Sequence, residues 1–145
     1  MLSNAFANDI LKLVFQGVGI DGLADDADGG ATQLFISLHS ADPGASGTQE
    51  TSELDYEGYA RLAVARSADG FTVDGATMHP TEAWEFGEMT GGTAQTATYM
   101  AIGTEATGAG KILFRAALNP TISLSEGVTP RLRTSSTLRG LTAQE

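Results

Sequence analysis

Few residues in this chain have the type and spacing that chemistry needs. His39 and His79 are the only imidazoles and there is no cysteine, so a three-histidine zinc site and any cysteine-based metal site are excluded. A serine–histidine–aspartate triad would have to come from scattered residues, because no Gly-x-Ser-x-Gly elbow is present. His39 is better read as packing or hydrogen-bonding beside the Asp42-Pro43-Gly44 turn. Glu82, Glu85 and Glu88 could pair carboxylates for glycoside hydrolysis, but three-residue spacing along an exposed edge is a weak signal. Asp21, Asp25, Asp26 and Asp28 carry the oxygens a hard cation prefers, yet they lack the ordered calcium-loop pattern.

Two glycine motifs fail on context. Gly17-Val18-Gly19-Ile20-Asp21-Gly22 spells a dinucleotide fingerprint, but it follows a helix and runs into aspartates that would repel a pyrophosphate. Gly108-Ala109-Gly110-Lys111 has Glu105 where a phosphate loop needs its first glycine, and Ile112 where it needs Ser or Thr. It reads as a hairpin turn. Asn119-Pro120-Thr121 is no glycosylation acceptor, since proline occupies the middle position. No catalytic residue, cofactor site or metal site is expected.

The elements that would position these residues are mostly strands. Leu34, Ile36 and Leu38 alternate with Phe35, Ser37 and His39, which predicts a half-buried strand over 33–39. Ser40-Ala41-Asp42-Pro43-Gly44 must turn. A polar loop then runs to Glu53, and Tyr56-Glu57-Gly58-Tyr59-Ala60-Arg61 anchors its far end. Further strands are expected at 61–66, 71–73, 83–86, 94–102, 111–118, 121–124 and 132–138, with Asp74-Gly75 signalling a hairpin and Asn119-Pro120 ending the strand before it. Residues 4–16 form the one convincing helix. Phe6, Ile10, Leu13 and Val14 share a face, Leu11 and Phe15 widen it, Ser3 or Asn4 caps its start and Gly17 suits its stop. A helix this apolar must dock, either on its own sheet or on a partner subunit. The fold expected is mainly β: an antiparallel sandwich or barrel of about seven to eight short strands with one N-terminal α-helix. It divides into a docking helix (1–17), an acidic Gly/Asp-rich loop (18–32), the β-sandwich (33–139) and a C-terminal tail (140–145).

The chain has 145 residues, enough for one domain with a real core, and a net charge of −10. Residues 1–60 hold ten acids and one base, whereas residues 61–145 hold eight acids and seven bases. Such a surface repels phosphate backbones, so nucleic-acid binding is not expected. No stretch approaches the roughly 20 apolar residues that span a bilayer, so no membrane partner is expected either. A secretory signal is not evident.

The anchor stretch carries a family resemblance. Leu34 to Gly44, Gly47-Thr48-Gln49, Glu53 and Tyr56 to Arg61 are similar to a family of small tailed-bacteriophage virion structural proteins, often described as tail-fibre-like. The likeness continues through Phe86, Tyr99 to Thr104, Gly108 to Phe114, Ala117-Leu118 and Glu126 to Pro130, and includes the opening helix. The Asp-rich loop at 21–30 and the basic tail from Arg131 depart from it. The resemblance implies an assembly role in a virion made in the host bacterial cytoplasm, with no enzyme activity. The partners expected are other virion proteins (the major capsid protein or tail proteins) and copies of the chain, with capsid geometry favouring a trimer or dimer. Fibres need intertwined shafts or long repeats, which this chain lacks, so a capsid decoration protein is favoured over a tail or tail-fibre appendage. A glycan-binding module using Trp84 and loop tyrosines is a third reading. Phe6, Ile10, Leu13 and Phe15 on the helix, with Arg131, Arg133 and Arg139 near the end, are the expected interface residues.

Overall fold

A computed structural model describes residues 1–16, 18–24, 31–74, 77–135 and 138–139. Nine strands and one helix are present among them: α1 (Asn4–Gln16), β1 (Gln33–His39), β2 (Leu62–Ala65), β3 (Phe71–Asp74), β4 (Thr77–Pro80), β5 (Trp84–Glu85), β6 (Gln95–Gly103), β7 (Ile112–Leu124), β8 (Arg131–Leu132) and β9 (Leu138–Arg139). All pair antiparallel. The main sheet runs β2-β1-β6-β7, beside a smaller β3-β4-β9 sheet and a β5-β8 pair. The expected mainly β, antiparallel architecture with one N-terminal helix is therefore what forms.

One core unites the sheets. Ile36 and Leu38 of β1 stand opposite Ile102 and Met100 of β6. The same cluster takes in Trp84, Phe86, Met89, Leu124 and Leu132, with Phe71 and Met78 packed against it. Burying aliphatic side chains from several layers on one centre is how short strands gain stability that none has alone.

Three local expectations are corrected. β1 is not half-buried along its length: Ser37 and His39, on the face opposite Ile36 and Leu38, are as fully enclosed as those two. The loop after β1 folds back over that face. Asn119-Pro120 does not end the strand at 118 either; β7 continues to Leu124 through a register shift. A proline survives there because β7 is the last strand of its sheet, so one side of its backbone needs no ladder partner. The single final strand expected over 132–138 is instead two short ones, β8 and β9, with a turn beginning at Thr134.

The helix forms where its periodicity places it. Ser3 Oγ accepts from the Phe6 N–H at 3.2 Å and caps the first turn. Gly17 and Gly75 of the expected hairpin signal lie outside the described residues; Asp74 of β3 pairs with Thr77 of β4.

Candidate functional site

Three surfaces of this fold bear on function: the locked loop behind the main sheet, the N-terminal docking contact and an apolar groove at the β7 edge.

The locked loop is built from the anchor stretch. The Gly44 N–H donates to Asp42 Oδ1 at 2.8 Å, closing the turn, and Gly44 takes φ +80°, which favours glycine. That N–H first, and the Arg115 guanidinium second, hold the Asp42 carboxylate below its ordinary range against the opposing effect of burial. Arg115 Nε reaches Asp42 at 2.8 Å from the back of β7. His39 Nδ1 donates to the Thr51 carbonyl at 2.8 Å, so its Nε2 is free to accept from Ser37 Oγ, also at 2.8 Å. Burial pushes the His39 pKa below its usual value, which fits that neutral tautomer. Gln49 is enclosed beside Gly103, where a Cβ would stand 2.1 Å from the Gln49 amide carbon. Its Oε1 accepts from the Glu105 N–H at 3.0 Å.

At the loop's end, Arg61 makes a bidentate pair with Glu53, both bonds at 2.7 Å. The same guanidinium donates to the carbonyls of Glu105 and Gly108 in the β6–β7 turn. Tyr59 donates to Glu53 and accepts from the Leu38 N–H. Burial raises the Tyr59 pKa strongly, so the hydroxyl stays protonated. The Arg61 side chain is 4% exposed, and a buried charge at that depth is tolerable because each of its three guanidinium nitrogens finds an acceptor. These residues are scaffold: they fix the loop rather than present reactive groups.

At the docking contact, Met1 to Ser3 extend along the outer edge of β7. Leu2 bridges Phe114, and the Arg115 N–H donates to the Met1 carbonyl at 3.0 Å. Phe6 then packs edge to face on Phe114 with ring centres 5.6 Å apart, and Lys111 Nζ pairs with Asp9 at 2.5 Å. The front of α1 thus docks on its own sheet. Ile10 is half-buried, while the side chains of Leu13 and Phe15 lie outside the described residues. Lys111 is the lysine of the rejected phosphate-loop motif, and the turn before it joins β6 to β7 as a hairpin.

The groove lies between the β7 end of the main sheet and the smaller sheets. It encloses about 700 Å³. Met78, Trp84, Met100, Leu118, Ile122 and Leu132 form its apolar surface, and Asn119, Arg131, Arg133 and Ser135 contribute polar groups. Periodicity gave no sign of it, because it is made by strands distant in sequence. Arg131 is ion-paired with Glu85 of its own chain across the β5–β8 pair. Arg133 is exposed and makes no ion pair among the described residues, and the Arg139 side chain lies outside them. Of the expected interface residues whose side chains are described, Phe6 lies at the docking contact, Ile10 is half-buried, and Arg131 and Arg133 line the groove. Trp84 is 5% exposed and packs edge to face on Phe71, which makes it core rather than an open platform for sugar stacking.

Among the described residues no group of three or more His, Asp or Glu side chains is arranged to hold a metal ion, and Asp25, Asp26 and Asp28 lie outside them. Glu82 and Glu88 are exposed. No helix among the described residues is long and apolar enough to cross a membrane.

Comparison with curated proteins finds no match. A family model does match, and it covers residues 1–138, which takes in the docking segment, the locked loop and the groove alike. The chain belongs to the family described as Podophage GP4 fiber I protein gp80, a family of phage fibre structural proteins.

Proposed function

We propose that this chain is a non-enzymatic subunit of the fibre apparatus of a short-tailed phage particle, working by holding other virion proteins and copies of itself. The observation that carries this reading is the family match across nearly the whole chain. The fold supports it. The loop after β1 is bolted to the sheet by buried hydrogen bonds and a bidentate ion pair, which suits a rigid load-bearing part. Affinity comes from many modest contacts acting together rather than from one deep site.

Capsid decoration is the second reading. It is favoured by the absence of a shaft-like repeat: short strands share a single core. Immunogold labelling of intact particles separates the two. Label confined to the tail is the expected result. Label spread over the head would overturn the fibre assignment in favour of decoration.

A further inference from the structure

The docking contact and the locked loop share one residue, Arg115. It lies on β7, the last strand of its sheet, and is 6% exposed. Toward the start of the chain, its backbone N–H donates to the Met1 carbonyl at 3.0 Å and its Nη1 to the Leu2 carbonyl at 3.1 Å. Toward the loop, its Nε donates to Asp42 Oδ1 at 2.8 Å, the same oxygen that takes the Gly44 N–H. One side chain thus ties the first residues of the chain to the turn after β1.

The two parts also bond directly. The Asn4 N–H donates to the Ala45 carbonyl at 2.9 Å, and Asn4 Nδ2 to Ser46 Oγ at 3.2 Å. Asn4 opens α1, where backbone N–H groups find no partner within the helix, so the turn supplies one. Ser3 is 3% exposed, and its N–H faces the Leu113 carbonyl at 3.4 Å. Adjacent residues of a strand point to opposite faces. Phe114, next to Arg115, packs against the core and carries the Phe6 ring. The β7 edge is therefore gripped through an apolar contact and through the Asp42 turn.

These bonds depend on one another. Without Met1 to Asn4, the Arg115 guanidinium meets water, and its pair with Asp42 falls to the small worth of an exposed ion pair. Without the turn, the guanidinium stays enclosed and loses its counter-charge, which is the costly case. The Asn4 N–H then loses its acceptor as well. Losing either part weakens the hold on the other.

We infer that residues 1–9 and the turn 40–46 form a single latch over the β7 edge, with Arg115 as its pin, and that the two parts open and close as one unit. Closed, the latch pairs the outer backbone of Leu113 and Arg115, a strand edge that another chain could otherwise extend. A partner that pulls away either part releases both, because a coupling between two sites acts in both directions.

Amide hydrogen exchange, followed by NMR on the full chain, tests this with two reciprocal variants. Phe6→Ala removes a ring contact made on β7 and is read at the turn. The Arg115 Nε–H and the Gly44 N–H should exchange about tenfold faster or more. Gly44→Ala disturbs the turn: its φ of +80° strains an alanine, while an added Cβ meets no atom within 4 Å. It is read at the Asn4 and Arg115 backbone N–H groups, which should speed by a similar factor. The Met89 N–H, bonded to the Val128 carbonyl past the opposite end of β7, should keep its rate in both variants. Should Phe6→Ala fail to fold, Asp9→Asn breaks only the half-exposed pair with Lys111 and should give the same pattern with a smaller rise. Native rates at the far part, with faster exchange at the near one, would mean two independent contacts and overturn the latch. Equal acceleration at Met89 would mean that only unfolding of the whole molecule links the two parts, and would overturn it too.

Discussion

The two faces of β1 are buried by opposite chemistry. On one, Ile36 and Leu38 join a core of aliphatic and aromatic side chains shared by all three sheets. On the other, Ser37 and His39 are equally enclosed, under a loop that meets them with hydrogen bonds and charges. The apolar face gains from area and tolerates approximate fit. The polar face gains little net energy per bond, but each group loses heavily if its partner goes. That difference teaches why the loop is so fully specified: a rigid surface is obtained by giving most buried donors and acceptors one arrangement that satisfies them.

The comparison is most sharply tested at the ion pair. Glu53→Gln leaves the Arg61 guanidinium buried without a counter-charge, and about 3–5 kcal/mol of stability should be lost in urea unfolding. Replacing both partners by apolar residues of similar size should recover most of that; no recovery would show that the polar face works by more than mutual satisfaction. Leu38→Ala on the apolar face should cost about 2–5 kcal/mol by the same measurement, with the loop still closed over Ser37 and His39. Gly103→Ala pushes a Cβ into the Gln49 amide, and about 1–3 kcal/mol should be lost as the loop is lifted.

The smallest effect is a pH dependence. Burial lowers the folded pKa of His39 below its ordinary 6.5. The unfolded chain therefore takes up a proton first as pH falls, so the stabilisation is complete above about pH 6.5 and is lost progressively below it, down through the folded pKa. Unfolding free energies measured across that range should fall toward acid, and His39→Gln should flatten this slope. An unchanged slope would mean that the polar face is open to water.

Much of this was legible in the chain. The helix over 4–16, the strand over 33–39 and the turn at Asp42-Pro43-Gly44 form where periodicity and turn chemistry put them, because each depends on neighbours a few residues away. The continuation of β7 past Asn119-Pro120 was not legible. Whether a proline interrupts a strand depends on whether that strand is at the edge of its sheet, and sheet order is a long-range property. The second burial of β1 was hidden for a similar reason. Alternation records two different faces, but it does not say that a loop will cover the polar one.

By itself the sequence determined the element types, the antiparallel class, the uneven charge and, through the anchor stretch, the family. Those follow from local stereochemistry, from composition and from motif identity. Only the tertiary structure decided that Arg115 would meet Asp42, that Arg61 would close on Glu53 beneath the β6–β7 turn, and that Trp84, Leu118 and Leu132 would wall one groove. Such meetings depend on strand order and on which edge each loop crosses, and side-chain spacing along a chain does not encode either.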